Sequence, residues 1–287
     1  MQGPPLTPGV SVVIRAKNEA DSIGRVLDLL KAQEIREREV ELIVVDSGSS
    51  DGTPALAREH GAQVIEIPAA SFTFGGALNT GCAAASAPVM LALSAHAFPP
   101  DTGWLARMLD CFADPRVACC YGVDNSPEGG ALHERVVQDA EHARRHWHWG
   151  YGNPAGAFRA ELWRERPFRE DMPGTEDREW AWHWLQQGWV AVIDPALRVE
   201  HDHSHDPLLD LFRRYRRESI GYTMYLDELP RYGLRELAGE WWRGDSKWPS
   251  RWRALVSPQR AAYLLGTYAG RRRSRASASR SLARRSA

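Results

Sequence analysis

The chain has 287 residues, 43% of them hydrophobic, which is enough to bury the core of one large domain or of two coupled halves. Lys and Arg number 36 against 37 Asp and Glu, so a formal net charge of −1 provides no global attraction to nucleic acid. No signal peptide is read and no apolar run approaches 20 residues, so the chain is expected to be cytoplasmic with nothing crossing a membrane. Cys82, Cys111, Cys119 and Cys120 lack CxxC spacing and sit among apolar or small residues, as reduced core thiols do.

Residues 1–9 hold three prolines and are expected to be a flexible leader. Residues 10–14 form an apolar strand, followed by the polar loop Arg15-Ala16-Lys17-Asn18-Glu19-Ala20. Ile23, Val26, Leu27 and Leu30 then recur at i, i+3, i+4 and i+7, one face of a helix over 19–33. A second apolar strand, 42–45, runs into Asp46 and the turn Ser47-Gly48-Ser49-Ser50-Asp51-Gly52-Thr53. Strand, helix and strand make a βαβ unit with a right-handed crossover. Ligands of open α/β sheets bind at the carboxyl ends of strands. Asp46 is therefore either an acceptor for a nucleobase imide N–H or a ribose hydroxyl, or a cap for its own turn.

Further strands are expected near 63–67 and 89–93, with helices near 54–60 and 76–86. This alternation predicts a mainly parallel sheet covered on both faces. Residues 101–113 and 131–147 read as helices with a strand at 117–121 between them. Residues 152–158 read as a Gly/Pro/Ala-rich loop leading to an apolar turn. A helix over 176–187 stops at Gly188. Short strands follow at 190–193 and 197–200, then a basic amphipathic helix at 207–226. Twelve tryptophans, several crowded between 147 and 189, suit a core with some surface left for stacking on a ligand.

Four more segments carry candidate chemistry. Leu91-Ala92-Leu93-Ser94-Ala95-His96 ends the fourth strand, where a neutral imidazole is either a competent metal ligand that favours Mn²⁺ over Mg²⁺ more than a carboxylate would, or a histidine hydrogen-bonded in the cleft with no metal. His201-Asp202-His203-Ser204-His205 alternates histidines on one face of an extended segment and suits a metal, a diphosphate or a solvated loop. Gly174-Thr175-Glu176-Asp177 opens a helix, where the dipole favours an ionised carboxylate and ordinary capping is also served. Ser71 to Asn79 contains Gly75 and Gly76, which permit close backbone approach to a ligand.

The stretches SVVIRAKNEADSIGRVLDLL and ELIVVDSGSSDGT, with the Ser94-Ala95-His96 and Glu176-Asp177 segments in matching order, resemble glycosyltransferase family 2. The resemblance covers residues 10 to 220 and is greatest to the bacterial rhamnosyltransferase-type branch. His203-Ser204-His205 ahead of Phe212-Arg213-Arg214-Tyr215 adds to it. It implies a GT-A fold, an α/β Rossmann-like mainly parallel sheet flanked by helices, with a C-terminal helical extension. It implies an inverting transfer of a sugar from a UDP- or dTDP-linked donor, dTDP-rhamnose as the specific expectation, to an acceptor hydroxyl. Asp177 is the implied base with Glu176 beside it. Arg15, Asn18, Glu19, Asp46, Ser47, Gly75, Gly76, Asn79, Ser94 and Arg214 are implied at the nucleotide. His96, with His201 or His203, is implied at a divalent metal. The family's acidic pair is replaced here by Ser94 and His96.

The organisation expected is a leader over 1–9, a glycosyltransferase domain over 10–205 with nucleotide-binding (10–96) and acceptor (97–205) halves, a helical region over 206–270, and a disordered basic tail over 271–287. The partners expected are a nucleotide-sugar donor, an acceptor that the residues do not specify and no nucleic acid. Peripheral membrane association through the C-terminal region, at the inner face of the membrane, and a homodimer are also within the expectation. A nucleotidyltransferase would need a Gly/Arg/Lys-rich triphosphate loop after the first strand, which residues 15–20 lack. A nucleotide-sugar-binding protein with a decayed site is the other rival, on the strength of the missing acidic pair.

Overall fold

Runs of branched apolar residues build the centre of the sheet. β1 (Pro8–Ala16), β2 (Glu39–Asp46), β3 (Gln63–Glu66) and β4 (Val89–Ser94) lie in the order β3-β2-β1-β4, all parallel. The computed structural model describes residues 8–35, 39–128, 130–201, 206–243 and 255–285. Side chains alternate across the strands. Val12, Ile14, Val44, Leu91 and Leu93 join a core with Ile23, Val26, Leu27 and Leu30 of α1 (Ile23–Lys31). Val13, Val45, Met90 and Ala92 join a second core with Ala77 and Leu78 of α3 (Phe74–Ala84). α2 (Thr53–Glu59) and α4 (Trp104–Asp110) add Ala57, Trp104, Leu105 and Met108 to the first. The central strands are thus buried on both faces, which is why they read as continuous apolar runs.

The sheet continues through β7 (Ala155–Arg159), β5 (Val117–Tyr121), β8 (Val190–Ile193) and β6 (Val136–Gln138). β7 is antiparallel to both β4 and β5, β5 and β8 are parallel, and β6 is antiparallel to β8. The expected loop at 152–158 is thus mostly a central strand. A Cβ at Gly156 would stand 2.3 Å from the Gly152 carbonyl oxygen and 2.6 Å from the Tyr151 ring. The small residues are there because the fully buried Tyr151 folds back over them. The expected helix at 131–147 is also corrected. Val136–Gln138 pair with β8, and only α5 (Ala140–Arg145) is helical, its N-cap Asp139 accepting from the His142 N–H. The expected strand at 197–200 is a 3₁₀ turn at Pro195–Leu197 and a single antiparallel bridge between Phe98 and Glu200.

α6 (Ala160–Glu165) and the greater part of α7 (Glu176–Gln186) cover the second core with Trp163, Trp180 and Trp184. Trp180 lies between Phe158 and Phe168 at 5.5 and 5.6 Å, so the crowded tryptophans are chiefly core. All four cysteines are free and buried.

The chain divides into two compact units. The first comprises the described residues of Met1–Pro127, Ala131–Asp171 and Trp180–His201, and holds the whole sheet. The second comprises those of Glu128–Gly130, Met172–Glu179 and Asp202–Ala287. Residues 172–179, expected within the acceptor half, therefore belong to the second unit. That unit contains α8 (Leu208–Tyr222), α9 (Leu234–Arg243) and α10 (Pro258–Arg285). Residues 271–285, read as disordered from composition, are helical. They are Arg, Ser and Ala with a single Leu and no Gly or Pro, so nothing in them breaks a helix begun at Pro258. Among the described residues no helix is long and apolar enough to cross a membrane.

Because the Gly152 carbonyl cannot move without distorting β7, Gly156→Ala is expected to destabilise the protein by about 1–3 kcal/mol. Urea unfolding of the variant and wild type checks this; equal midpoints would show that the strand yields freely.

Candidate functional site at the carboxyl ends of the parallel strands

The register of the sheet brings three strand ends together. Ala16 pairs with Asp46, and Arg15 pairs with both Val45 and Ser94. The loops after β1 and β2 are then laced to each other. Asp46 is 1% exposed. Its Oδ2 accepts from the backbone N–H groups of Gly48 (3.0 Å) and Ser49 (2.9 Å), and its Oδ1 accepts from the Ser49 hydroxyl. Ser49 Oγ accepts in turn from the Asn18 N–H at 2.8 Å, and Asn18 Oδ1 accepts from the Ser50 N–H at 2.9 Å. Asn18 takes a left-handed φ of 56°, which asparagine tolerates better than most residues. Thr53 Oγ1 accepts from the Glu19 N–H (2.8 Å), and Asp51 Oδ2 from the Ala20 N–H (3.0 Å). Asp46 and Asn18 thus hold the loops in shape, and the capping role foreseen for Asp46 is present. Ser47 Oγ is buried and has no hydrogen-bond partner in the structure.

His96 stands just beyond β4, two residues after Ser94. Its Nδ1 lies 3.0 Å from Glu19 Oε1. Burial by itself would push the Glu19 carboxyl up, but hydrogen bonds from His96 and Ser22 outweigh it and hold the group below its ordinary range. An ionised carboxylate only accepts, so Nδ1 carries a proton and donates to Glu19. The bridge at Phe98 and Glu200 brings His201 alongside, and the two imidazoles stack at 4.9 Å and 11°. The stack sets His201 directly beside His96. His203 lies outside the described residues. Among the described residues no group of three or more His, Cys, Asp or Glu gathers as a metal site. The fit to a divalent ion rests on His96, whose Nδ1 is held by a carboxylate as in metal-ligating histidines.

Other expected residues have different work. Arg15 donates to the Phe74 carbonyl at 3.2 Å and lies over the Phe74 ring. A Cβ at Gly75 would meet the Arg169 carbonyl oxygen at 2.4 Å, and one at Gly76 would meet Thr73 Oγ1 at 2.7 Å. These glycines serve the packing of α3 on residues 169–170 and its own cap, where Thr73 accepts from the Gly76 N–H. Asn79 donates to the Phe168 carbonyl and to Glu170, and accepts from the Phe168 N–H and Trp163 Nε1, at 2.8 to 3.0 Å. Its amide is fully used, which makes it a clamp on residues 163–170 instead of a nucleotide contact.

Glu176, Asp177 and Arg214 belong to the second unit. Thr175 has a φ of 65°, strained for a β-branched residue, and its hydroxyl donates to the Gly174 carbonyl instead of capping α7. Asp177 Oδ1 accepts from the Arg178 N–H at 2.7 Å. Burial would lower the Arg178 pKa, but Tyr222, Asp177, Tyr225 and Glu218 raise it beyond its ordinary value, so it stays cationic beside Asp177. Burial raises the Tyr222 hydroxyl to about 12. Arg214 pairs with Glu218 at 3.0 Å along α8. Neither the Arg178 setting nor the Glu19–His96 pair was foreseen; both link residues distant in sequence.

Residues 11–182 match the glycosyl transferase family 2 profile, and the chain belongs to this family. It is similar to the O-antigen chain rhamnosyltransferase RfbN of Salmonella typhimurium, 27% identical over 72% of this chain and 70% of that protein. The glycosyltransferase AglE of Haloferax volcanii is 32% identical over 45% of this chain, which spans only 44% of AglE. Among solved structures, the mannosyltransferase PcManGT of Pyrobaculum calidifontis, determined with GDP-Man and Mn²⁺, superposes with a TM-score of 0.61 at 21% identity. That superposition covers 95% of this chain and 76% of PcManGT. Glucosyl-3-phosphoglycerate synthase of Mycobacterium tuberculosis gives 0.59 at 20% identity, over 79% and 82%. The fold is that of GT-A glycosyltransferases, and the chain carries the family 2 glycosyltransferase domain.

Two outcomes test the site. Asp46→Ala leaves the Gly48 and Ser49 N–H groups without the carboxylate that holds their loop and is expected to cost about 1–3 kcal/mol, read by chemical denaturation. Glu19→Ala is expected to shift the neutral His96 ring toward its Nε2–H tautomer, seen in imidazole ¹⁵N chemical shifts. An unchanged tautomer would remove Glu19 as the group that orients His96.

Proposed function

We propose that this chain is an inverting glycosyltransferase that moves a sugar from a nucleoside-diphosphate sugar to an acceptor hydroxyl. The reading rests on the site at the ends of β1, β2 and β4, where the buried Ser47 hydroxyl, Ser94 and the Glu19-oriented His96 gather beside a laced, rigid loop pair. Asp46 and Ser47 face the base or ribose of the donor. Ser94 and His96 face its diphosphate, and Arg214, a cation paired with Glu218, is assigned to phosphate as well. A divalent ion, when bound at His96, supplies charge neutralisation to the leaving diphosphate. UDP and dTDP are the favoured nucleotides and dTDP-rhamnose the favoured donor, a reading supported by the likeness to RfbN over most of this chain.

Asp177 is the base. It takes the proton of the acceptor hydroxyl as that oxygen attacks the anomeric carbon. The bond from that carbon to the diphosphate oxygen breaks on the opposite side and its electron pair leaves with the phosphate, so the anomeric configuration inverts. Arg178, kept cationic by Tyr222, Asp177, Tyr225 and Glu218, stands beside this base.

Calorimetric titration with UDP, dTDP and GDP, with Mn²⁺ and with chelator, followed by a nucleotide-sugar panel scored by nucleoside diphosphate release, tests the proposal. No nucleotide binding under any condition would reject it. Binding without release across the panel would favour a decayed site. Asp177→Asn is expected to lower turnover by about 10²–10⁴ while donor affinity holds. Wild-type turnover in the folded variant would remove Asp177 as the base.

A further inference from the structure

Charge is distributed along this chain in a way that its total conceals. Residues 206–287 carry 18 Lys and Arg against eight Asp and Glu, a formal +10, so residues 1–205 carry −11. Exposed apolar side chains follow the same division. Of eight large ones among the described residues, seven fall within 206–287, the eighth being Val137.

α9 joins the two features. Leu234, Leu237, Ala238, Trp241 and Trp242 share an arc of about 140° at 100° per residue. No residue of this helix is buried. α9 packs on α10, and the buried Arg260 of α10 donates to the carbonyls of Glu240 (2.6 Å) and Trp241 (3.0 Å), closing the end of α9. Leu237 and Trp241 are half-buried. The other edge of the arc, Leu234, Ala238 and Trp242 at i, i+4 and i+8, is exposed, Leu234 by 69% and Trp242 by 65%. This stripe is about 12 Å long. Arg235 is next to Trp242 on the helical wheel, and Arg231 and Arg243 stand at the two ends of the stripe, all three exposed. The acidic residues of α9 are engaged within the unit. Glu240 accepts from the Tyr232 hydroxyl and Glu236 from the Gly233 N–H.

We infer that α9 lies flat on an anionic phospholipid surface, with Leu234, Ala238 and Trp242 in the acyl boundary and the flanking arginines at the headgroup phosphates. An apolar stripe edged by arginine is the pattern of helices that rest in the interfacial plane. A tryptophan ring suits that depth, and arginine stems extend to reach the phosphates. The charge of residues 206–287 is complementary to an anionic leaflet. The same region of a second copy would repel it, and a bare polyanion would have no use for the stripe. The inference does not rest on the donor or on the base, so its failure leaves the proposed reaction standing.

The test is cosedimentation of the full chain with equimolar phosphatidylcholine–phosphatidylglycerol vesicles and with pure phosphatidylcholine vesicles. The expected result is binding to the first that weakens with added salt and is at least tenfold stronger than to the second. Leu234→Ser with Trp242→Ser, both at exposed positions, is expected to lower binding about tenfold or more with unchanged thermal unfolding. Arg235→Gln with Arg243→Gln is expected to lower binding and flatten its salt dependence. Absence of binding to the anionic vesicles, or binding indifferent to the Leu234/Trp242 pair, overturns the inference. So does a wild-type dimer in light scattering that the Leu234/Trp242 variant converts to a monomer, which would assign the stripe to a second copy. Duplex DNA that displaces the vesicles would assign the charge to nucleic acid and equally overturn it.

Discussion

A carboxylate at the end of a buried strand has to find its hydrogen bonds inside the protein, and Asp46 finds them in the loop that follows it. Ser49, held by Asp46, is also the acceptor for the Asn18 N–H of the neighbouring loop. One buried charge therefore sets two loops, and those loops define the side of the site nearest β1 and β2. The parallel register puts both loops at the same end of the sheet, since the strands they follow point the same way. Everything placed on these loops, Glu19 included, inherits its position from this network.

Glu19 carries that order to β4. Its backbone is tied to Thr53 and its side chain reaches His96, so the end of β4 is oriented by the loop of β1. A serine and a histidine occupy the end of β4 here, and the surroundings have adapted to an imidazole. It has a carboxylate on one nitrogen and a second imidazole across its face.

The second unit is governed by helix contacts. Gly266 and Gly270 of α10 face the backbone of α8, where a Cβ would stand 2.6 Å from the carbonyl oxygens of Phe212 and Arg216. The two helices approach as closely as backbones can, which holds Arg214, Glu218 and Tyr222 on a rigid element. Arg178, lying over the Tyr222 ring, gives the first turn of α7 its place in the same unit.

Much of the fold was legible in the chain itself. Residues 10–14 and 42–45 announce buried strands because parallel strands covered on both faces can be apolar throughout, and Ile23, Val26, Leu27 and Leu30 announce the helix between them. Asp46, Ser94 and His96 were visible as strand-end residues because a polar group directly after such a run must lie at a strand end. Local pattern failed where pairing was remote. Val136–Gln138 form a strand only because β8, more than 50 residues later, accepts them as its edge, and Ala155–Arg159 form one although their small residues signal a loop. The same limit applies to chemistry. Asn79 looked like a ligand and is a clamp, because its partners at 163–170 are named only by the packing of α3. The meeting of Glu19, His96 and His201 was beyond reach of spacing, since the pairing of β1 with β4 brings the first two together and one bridge between Phe98 and Glu200 brings the third. A sequence states which side chains are apolar and where strands end; which distant polar atoms then share a hydrogen bond is decided by the register of the whole sheet.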